Sequence, residues 1–363
     1  MAKILFITHE NFEQKDGGLG TFSYEFVTEM RKAGHRISTV LNNYFPKIQP
    51  SKWHELVLNP TPEGKREHFA ELNKLNNHMQ KFRPDIIITN DRQNFNPFFY
   101  VTPNAPLVFA IHLPYPDMLG AGRWDKAMWK EFKIERKAAQ MSNQVWVFSK
   151  FMKERMPSYL DVPDSKVVHA PIGTNISARL FQKHRPELKV VSYFGRIEEY
   201  QKRISLFSSV AKAMAKEGIE FRLYGKRLKG SEDIILSGVI KQKGFKKGLE
   251  LEKAYLESDV VIMPSNYEPF GFVGLEALAH GCQLIAPQGL GMDDYEGGLI
   301  SPKKFNTETV VSLLRKWRAD WPSYSNTASR LTRREWLSKR FDWSAVIPQY
   351  DHLISDLMNG FHH

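Results

Sequence analysis

The stretch DVVIMPSNYEPFGFVGLEALAHGCQLIAP, residues 259–287, decides the fold. It reads as a strand (259–265), a loop carrying Glu268, Pro269 and Gly271, an apolar helix from Phe272 to about Gly281, and a second strand (283–287). Both strands are near-continuous apolar runs, which suits a sheet covered on both faces. Two such strands joined by a helix form a βαβ unit of a parallel sheet.

The same rhythm extends outward. KVVSYFG (189–195) and FRLYG (221–225) read as strands, with helices starting at Lys202 and Leu249. The first half of the chain repeats the pattern with KILFIT (3–8), HRISTVL (35–41), DIIITN (85–90), LVFAIH (107–112) and QVWVFS (144–149). A helix from about Leu19 carries Phe22, Phe26, Met30 and Ala33 as one apolar stripe, and Gly34 is placed to end it in a left-handed conformation. Between the two series PIGTNISARLFQKHRPELK (171–189) reads as a linker, and everything after Thr307 reads as helix. The expectation is an α/β protein of two Rossmann-like domains facing each other across a cleft. Residues 1–175 and 176–342 form the domains, and 343–363 form a terminal helix that returns to the first. Ligands of open parallel sheets bind outside the carboxyl ends of the strands.

Composition bounds the function. The 363 residues are 42% hydrophobic and 25% charged, so a disordered or collagen-like chain is excluded. No apolar run approaches the ~20 residues of a bilayer span, and LVFAI at 107–111 has the length of a buried strand. The opening MAKILFITHE has only four consecutive apolar residues, too few for a signal-peptide core, so a cytoplasmic protein is expected. A single cysteine, Cys282, excludes an intramolecular disulfide and reads as a small core residue. The net charge of +11 favours polyanionic partners: acidic membrane surfaces, nucleic acid or phosphorylated substrates.

Three places carry candidate chemistry. Gly17, Gly18 and Gly20 precede the first helix, where backbone N–H groups and the helix dipole favour an anion; a plain tight turn is the competing reading. Arg196 and Lys202 follow the strand ending at Gly195 and make a natural diphosphate clamp, Arg by its fork and Lys as a point charge. Glu268 and Glu276 are acidic residues in apolar, helix-packed surroundings and need partners. The N–H groups around Phe270, Gly271 and Phe272 suit a phosphate, and the two carboxylates suit sugar hydroxyls. The alternative is a helix cap with a structural ion pair, such as Glu268 with Arg196. His112 ends the strand LVFAIH at the carboxyl edge of the first sheet, where it either exchanges a proton or is structural. No histidine has metal-ligand spacing, so no metal is expected.

These residues resemble the retaining glycosyltransferases of family 4, group 1, which have the fold called GT-B. GGLGTFSYEFVTEMRKAGHRI is similar to the family's opening glycine loop and helix, VWVFSKFMKERM to its end-of-domain serine segment, and FGRIEEYQKR to its Gly-Arg motif with downstream lysine. EPFGFVGLEALAHG resembles its pair of glutamates with seven residues between them, and FDWSAVIPQYDHLISDL its returning terminal helix. The resemblance implies that Arg196 and Lys202 hold a donor diphosphate and that Glu276 takes the ribose hydroxyls. It implies that Glu268, with the amides of Gly271 and Phe272, holds the transferred sugar and its phosphate. Gly17 and Gly18 would face the reacting phosphate, and His112 would lie beside the sugar ring. Retention of anomeric configuration by front-face attack, with no cofactor and no metal, is also implied.

The sequence departs from the family in two places. Arg203 follows Lys202 where a glycine is usual, and Asn175 stands where an aspartate is common. The expected activity is transfer of a hexose-type sugar from a nucleotide diphosphate sugar, UDP-sugar first, to a glycan or lipid-linked acceptor in surface polysaccharide or glycoconjugate biosynthesis. Lys126, Lys130, Lys133 and Lys137, interleaved with Trp124, Trp129 and Phe132, suit contact with an anionic inner membrane face or an ordinary solvated helix face. The Trp- and Arg-containing region 315–343 suits either nucleic acid or packing. Sugar transfer to a nucleic-acid base, and an idle GT-B scaffold, are the alternative functions.

Overall fold

Short apolar runs build two six-stranded sheets, and in each of them every pairing is parallel. The protein is described here by a computed structural model covering residues 1–8, 17–41, 69–114, 126–181, 185–227, 229–295 and 298–361. The chain divides into two units, Met1–Thr174 with Trp343–His363, and Asn175–Asp342.

In the first unit β1 (Lys3–Thr8), β2 (Arg36–Leu41), β3 (Ile86–Asn90), β4 (Leu107–Ile111), β5 (Gln144–Val147) and β6 (Val167–His169) lie in the order β2-β1-β3-β4-β5-β6. Ile4 pairs with Ile37 on one side and Ile86 on the other, and every residue of β3 and β4 is buried. The helices are α1 (Gly17–Lys32), α2 (Phe69–Phe82), α3 (Lys126–Met141) and α4 (Lys150–Leu160). Phe22, Phe26 and Met30 of α1 are buried, and the Phe26 ring sits 5.4 Å from Phe6 of β1. Burying each such side chain is worth ~1.5–3 kcal/mol. Ala33 does not continue the stripe, because α1 ends at Lys32 and Ala33 is exposed. Gly34, at φ 95°, turns the chain as expected. The helix also starts earlier than the glycines suggested, since Gly17 and Gly18 form its first turn.

The second unit holds β7 (Val190–Phe194), α5 (Ile204–Ala213), β8 (Glu220–Tyr224), β9 (Ile240–Gln242), α6 (Gly248–Leu256), β10 (Val260–Ile262), α7 (Phe272–Ala279), β11 (Gln283–Ile285), β12 (Leu299–Ile300), α8 (Thr307–Ala319), α9 (Trp321–Tyr324) and α10 (Thr327–Phe341). Its strand order is β12-β11-β10-β7-β8-β9. The sheet therefore winds outward from β7 in one direction, then returns to place β10 on the other side of β7. The β7/β10 boundary is a topological switch point, the place where open α/β sheets form a binding crevice. The β1/β3 boundary is its counterpart in the first unit. Cys282 is buried, and that burial pushes its thiol up to about 12, so it is an inert core residue.

The last helix, α11 (Trp343–Phe361), belongs to the first unit. Trp343 is buried and its Nε1 donates to Glu25 Oε2 at 3.0 Å, while Tyr350 meets Phe26 edge-on at 5.1 Å. Trp317 and Trp321 are buried in the core of the second unit, and Trp336 is half-buried beneath Arg340. The tryptophans of the 315–343 region are thus mostly packing residues and not stacking platforms for bases. On α3, Lys130, Lys133 and Trp129 are exposed, whereas Lys137 lies over the Phe99 ring; Trp124 falls outside the described residues. No helix among the described residues is long and apolar enough to cross a membrane.

Candidate active site

The predicted residues fall into two groups, one per unit. Arg196, Lys202, Glu268, Phe270, Gly271, Phe272 and Glu276 all lie in the second unit, on the segments that follow β7 and β10. Those are the two strands flanking the switch point.

Two loops follow β7 and β10, and a glutamine ties them together. Gln201, seven residues beyond the end of β7, donates through Nε2 to the Tyr267 carbonyl at 3.1 Å and accepts at its own carbonyl from Asn266 N at 2.8 Å. Its side-chain oxygen accepts from the Arg196 guanidinium, so the same residue aims the first cation. Lys202 makes an ion pair with Glu268, both side chains being largely buried, and Ser265 Oγ donates to the same carboxylate oxygen at 3.3 Å. The structural partner of Glu268 is therefore Lys202 and not Arg196. Arg203 sits at φ 45° and caps α5 in the left-handed region, so the backbone keeps the conformation of the glycine usual there although the side chain does not.

Gly271 caps α7 at φ 87°, and no side chain caps that helix. Gly274 N donates to the Gly271 carbonyl at 2.8 Å, while the amides of Phe272 and Val273 precede the first intrahelical bond, an arrangement chemically able to bind an anion. A Cβ on Gly271 would stand 2.7 Å from Met292 Cγ, so the cap is closed to other residues twice over. Tyr295 fixes this turn by donating to the Phe270 and Gly271 carbonyls at 2.9 and 3.2 Å, and burial pushes its phenol well above the ordinary value. The Phe270 ring is buried against Phe272, Tyr295 and Phe341, leaving only its backbone for a ligand.

Glu276, one turn further along α7, is buried with two donors. Arg179 Nη2 lies 3.3 Å from Oε1, and Tyr255 OH donates to Oε2 at 3.0 Å. Burial pushes the Tyr255 phenol well up, so it stays a donor. Arg179 and Tyr255 were not anticipated from the sequence. Arg179 lies inside the stretch read as a linker, and Tyr255 reads as one more apolar position of α6. Gln201 was missed because a neutral amide carries no charge signal.

In the first unit the glycines and His112 are linked through α1 and β3. His112, just past β4, is half-buried with its ring stacked 4.2 Å from Phe148. Asn90 at the end of β3 donates through Nδ2 to Ser23 Oγ at 2.8 Å, and Ser23 donates to the Leu19 carbonyl at 2.8 Å. That leaves Asn90 Oδ1 as the acceptor for His112 Nε2 at 2.7 Å, which assigns the ring proton to Nε2. Asp91, next in sequence, stands at φ 79° and ψ 161°, a strained position at the first unit's switch point.

Two Rossmann-like domains with this switch-point constellation define the GT-B class. Family models match both units: glycosyltransferase family 4 over residues 16–178 and glycosyl transferases group 1 over residues 188–315. Together they span most of the chain, and the protein belongs to the family 4, group 1 glycosyltransferases. An uncharacterized glycosyltransferase of Methanocaldococcus jannaschii is 28% identical over 205 residues, 50% of this chain and 52% of that protein. The chain thus matches about half the length of that relative. Among solved structures, sucrose-phosphate synthase from Thermosynechococcus elongatus superposes with a TM-score of 0.77 at 17% identity, covering 99% of this chain and 100% of the other. Anabaena HepE in complex with UDP-glucose gives 0.72 at 16% identity, covering 98% and 100%. At these identities the likeness is one of fold.

Proposed function

We propose that the protein is a retaining glycosyltransferase that moves a hexose-type sugar from a nucleotide diphosphate sugar, UDP-sugar first, to a glycan or lipid-linked acceptor. The observation that carries this is that the segments following the two strands of the β7/β10 switch point hold two cations, a helix start with no side-chain cap and two buried carboxylates. A donor with both diphosphate and sugar hydroxyls satisfies all of them.

In this reading Arg196 and Lys202 bind the diphosphate and the α7 amides take its sugar-side phosphate. Glu276 accepts from the ribose hydroxyls, and Glu268 accepts from the transferred sugar. Breakage of the bond from anomeric carbon to phosphate oxygen leaves an extra negative charge on the nucleoside diphosphate. Cations and helix amides fixed in advance stabilise that charge as it develops. The new bond forms from the acceptor oxygen to the anomeric carbon on the face the phosphate leaves, and the acceptor proton passes to the departing phosphate oxygen. The family resemblance assigns His112, held by Asn90 and Phe148, to the sugar and Gly17 and Gly18 to its phosphate. The cations already present neutralise the diphosphate, so no metal or cofactor is part of the proposal. Exposed Lys130, Lys133 and Trp129 on α3 suit an anionic membrane face, which favours a lipid-linked acceptor and a surface-glycan or glycoconjugate role.

Calorimetric titration without metal against UDP, GDP, ADP, dTDP and their common sugar conjugates tests the reading. Micromolar binding of one nucleotide, with UDP expected, supports it. No binding across the panel overturns it in favour of an idle scaffold.

A further inference from the structure

We infer that Arg179 is a positioning residue for the nucleotide ribose: it acts on the donor through Glu276 and touches no reacting atom. The inference rests on the proposed role of Glu276 and extends it to a segment that no motif marks.

The carboxylate of Glu276 is gripped from two sides. Arg179 Nη2 stands 3.3 Å from Oε1, and Tyr255 OH donates 3.0 Å to Oε2. Both members of the Arg179–Glu276 pair retain only 11% of their side-chain exposure. A carboxylate this buried carries a charge that has to be balanced, and the guanidinium is the balancing cation. Two donors on two different oxygens also fix the carboxylate plane. Each oxygen keeps a lone pair for a further donor, which is what a pair of vicinal hydroxyls requires.

Arg179 is itself held with unusual care. Arg334 of α10 donates through Nη2 to the carbonyls of Ile176 at 2.9 Å, Ser177 at 3.4 Å and Arg179 at 2.6 Å. The amide of Ser177 donates to Asp342 Oδ2 at 2.9 Å. One arginine reaches three carbonyls of a four-residue stretch and an aspartate takes an amide between them, which ties residues 176–179 to the end of α10. This segment is the first of the second unit, and Asp342 is the last residue of that unit. The two ends of the unit are therefore pinned together, and the product of the pinning is a guanidinium on Glu276. Behind Tyr255 the His280 ring stacks at 5.0 Å and its Nδ1 meets the Glu276 carbonyl at 2.7 Å, which steadies the second donor.

The experiment compares binding of UDP and 2′,3′-dideoxy-UDP by calorimetry in the unmodified protein and in Arg179→Met, Arg179→Lys and Glu276→Gln. The unmodified protein should prefer UDP by at least tenfold. Arg179→Met should bring that ratio to within about twofold of unity while leaving the dideoxy affinity unchanged, and Arg179→Lys should recover part of the ratio. A merely structural role would weaken both ligands alike. Equal loss for both ligands, or an intact ratio in Arg179→Met while Glu276→Gln abolishes it, overturns the inference alone. An intact ratio in Glu276→Gln overturns the ribose assignment and the inference with it. If Arg179→Met does not fold, Arg179→Lys and Tyr255→Phe carry the test, each expected to lower the ratio and refuted by leaving it unchanged.

Discussion

Lys202 and Glu268 hold each other across two loops, so a diphosphate that recruits Lys202 competes with a carboxylate already on it. Glu268→Gln should therefore raise affinity for the nucleoside diphosphate by about fivefold, the worth of one partly buried charged contact, while sugar transfer falls at least a hundredfold. Lys202→Ala should weaken the same binding by on the order of 2 kcal/mol. Titration and turnover measured on the same samples check both, and a parallel loss of binding and transfer in Glu268→Gln would make Glu268 structural. His280 allows a second prediction at this scale. Fully buried, with an Nε2 that has no partner among the described residues, it is pushed by burial down to about 4 from an ordinary 6.5. The unfolded chain takes up that proton first as pH falls. Stability present above pH 6.5 is thus lost progressively towards pH 4, by on the order of 3 kcal/mol in total. Urea unfolding between pH 4.5 and 7.5 should show a shallower acid-side loss in His280→Gln than in the unmodified protein.

Among elements, α7 concentrates the chemistry because its start and its body answer different demands. Its body, Gly274 to Ala279, is buried throughout, which fixes the helix in the sheet's cover; its start at Gly271 has no side-chain cap. Gly271→Ala should strain the cap by at least ~1–2 kcal/mol and also move Met292, lowering both melting temperature and donor affinity. Arg203→Gly should act in the opposite sense at the start of α5. It relieves a left-handed non-glycine residue and should raise the melting temperature by a few degrees, worth about 1 kcal/mol. Element by element, the long strands were legible because burial on both faces leaves a continuous apolar run. Three strands, β6, β9 and β12, were not. Each has two or three residues and lies at a sheet edge, where one ladder and partial burial demand little of the sequence.

For the whole molecule, the terminal helix is the longest excursion, since α11 returns to the unit in which the chain began. Its anchor is Trp343, buried against α1 and bonded to Glu25, so Trp343→Ala should cost the first unit about 3–5 kcal/mol. Hydrogen exchange should show lost protection across Gly17–Lys32, and unchanged exchange there would mean that α11 adds little to that unit. The sequence by itself determined the two α/β series and the family, because apolar periodicity and short motifs are local signals. Only the tertiary structure decided that Lys202 and not Arg196 meets Glu268, that Gln201 joins the two loops, and that Arg179 of an apparent linker balances Glu276. The physical reason is that a buried charge must be paired, while the partner's position in the chain is set by which strands the sheet brings side by side and not by any spacing along the sequence.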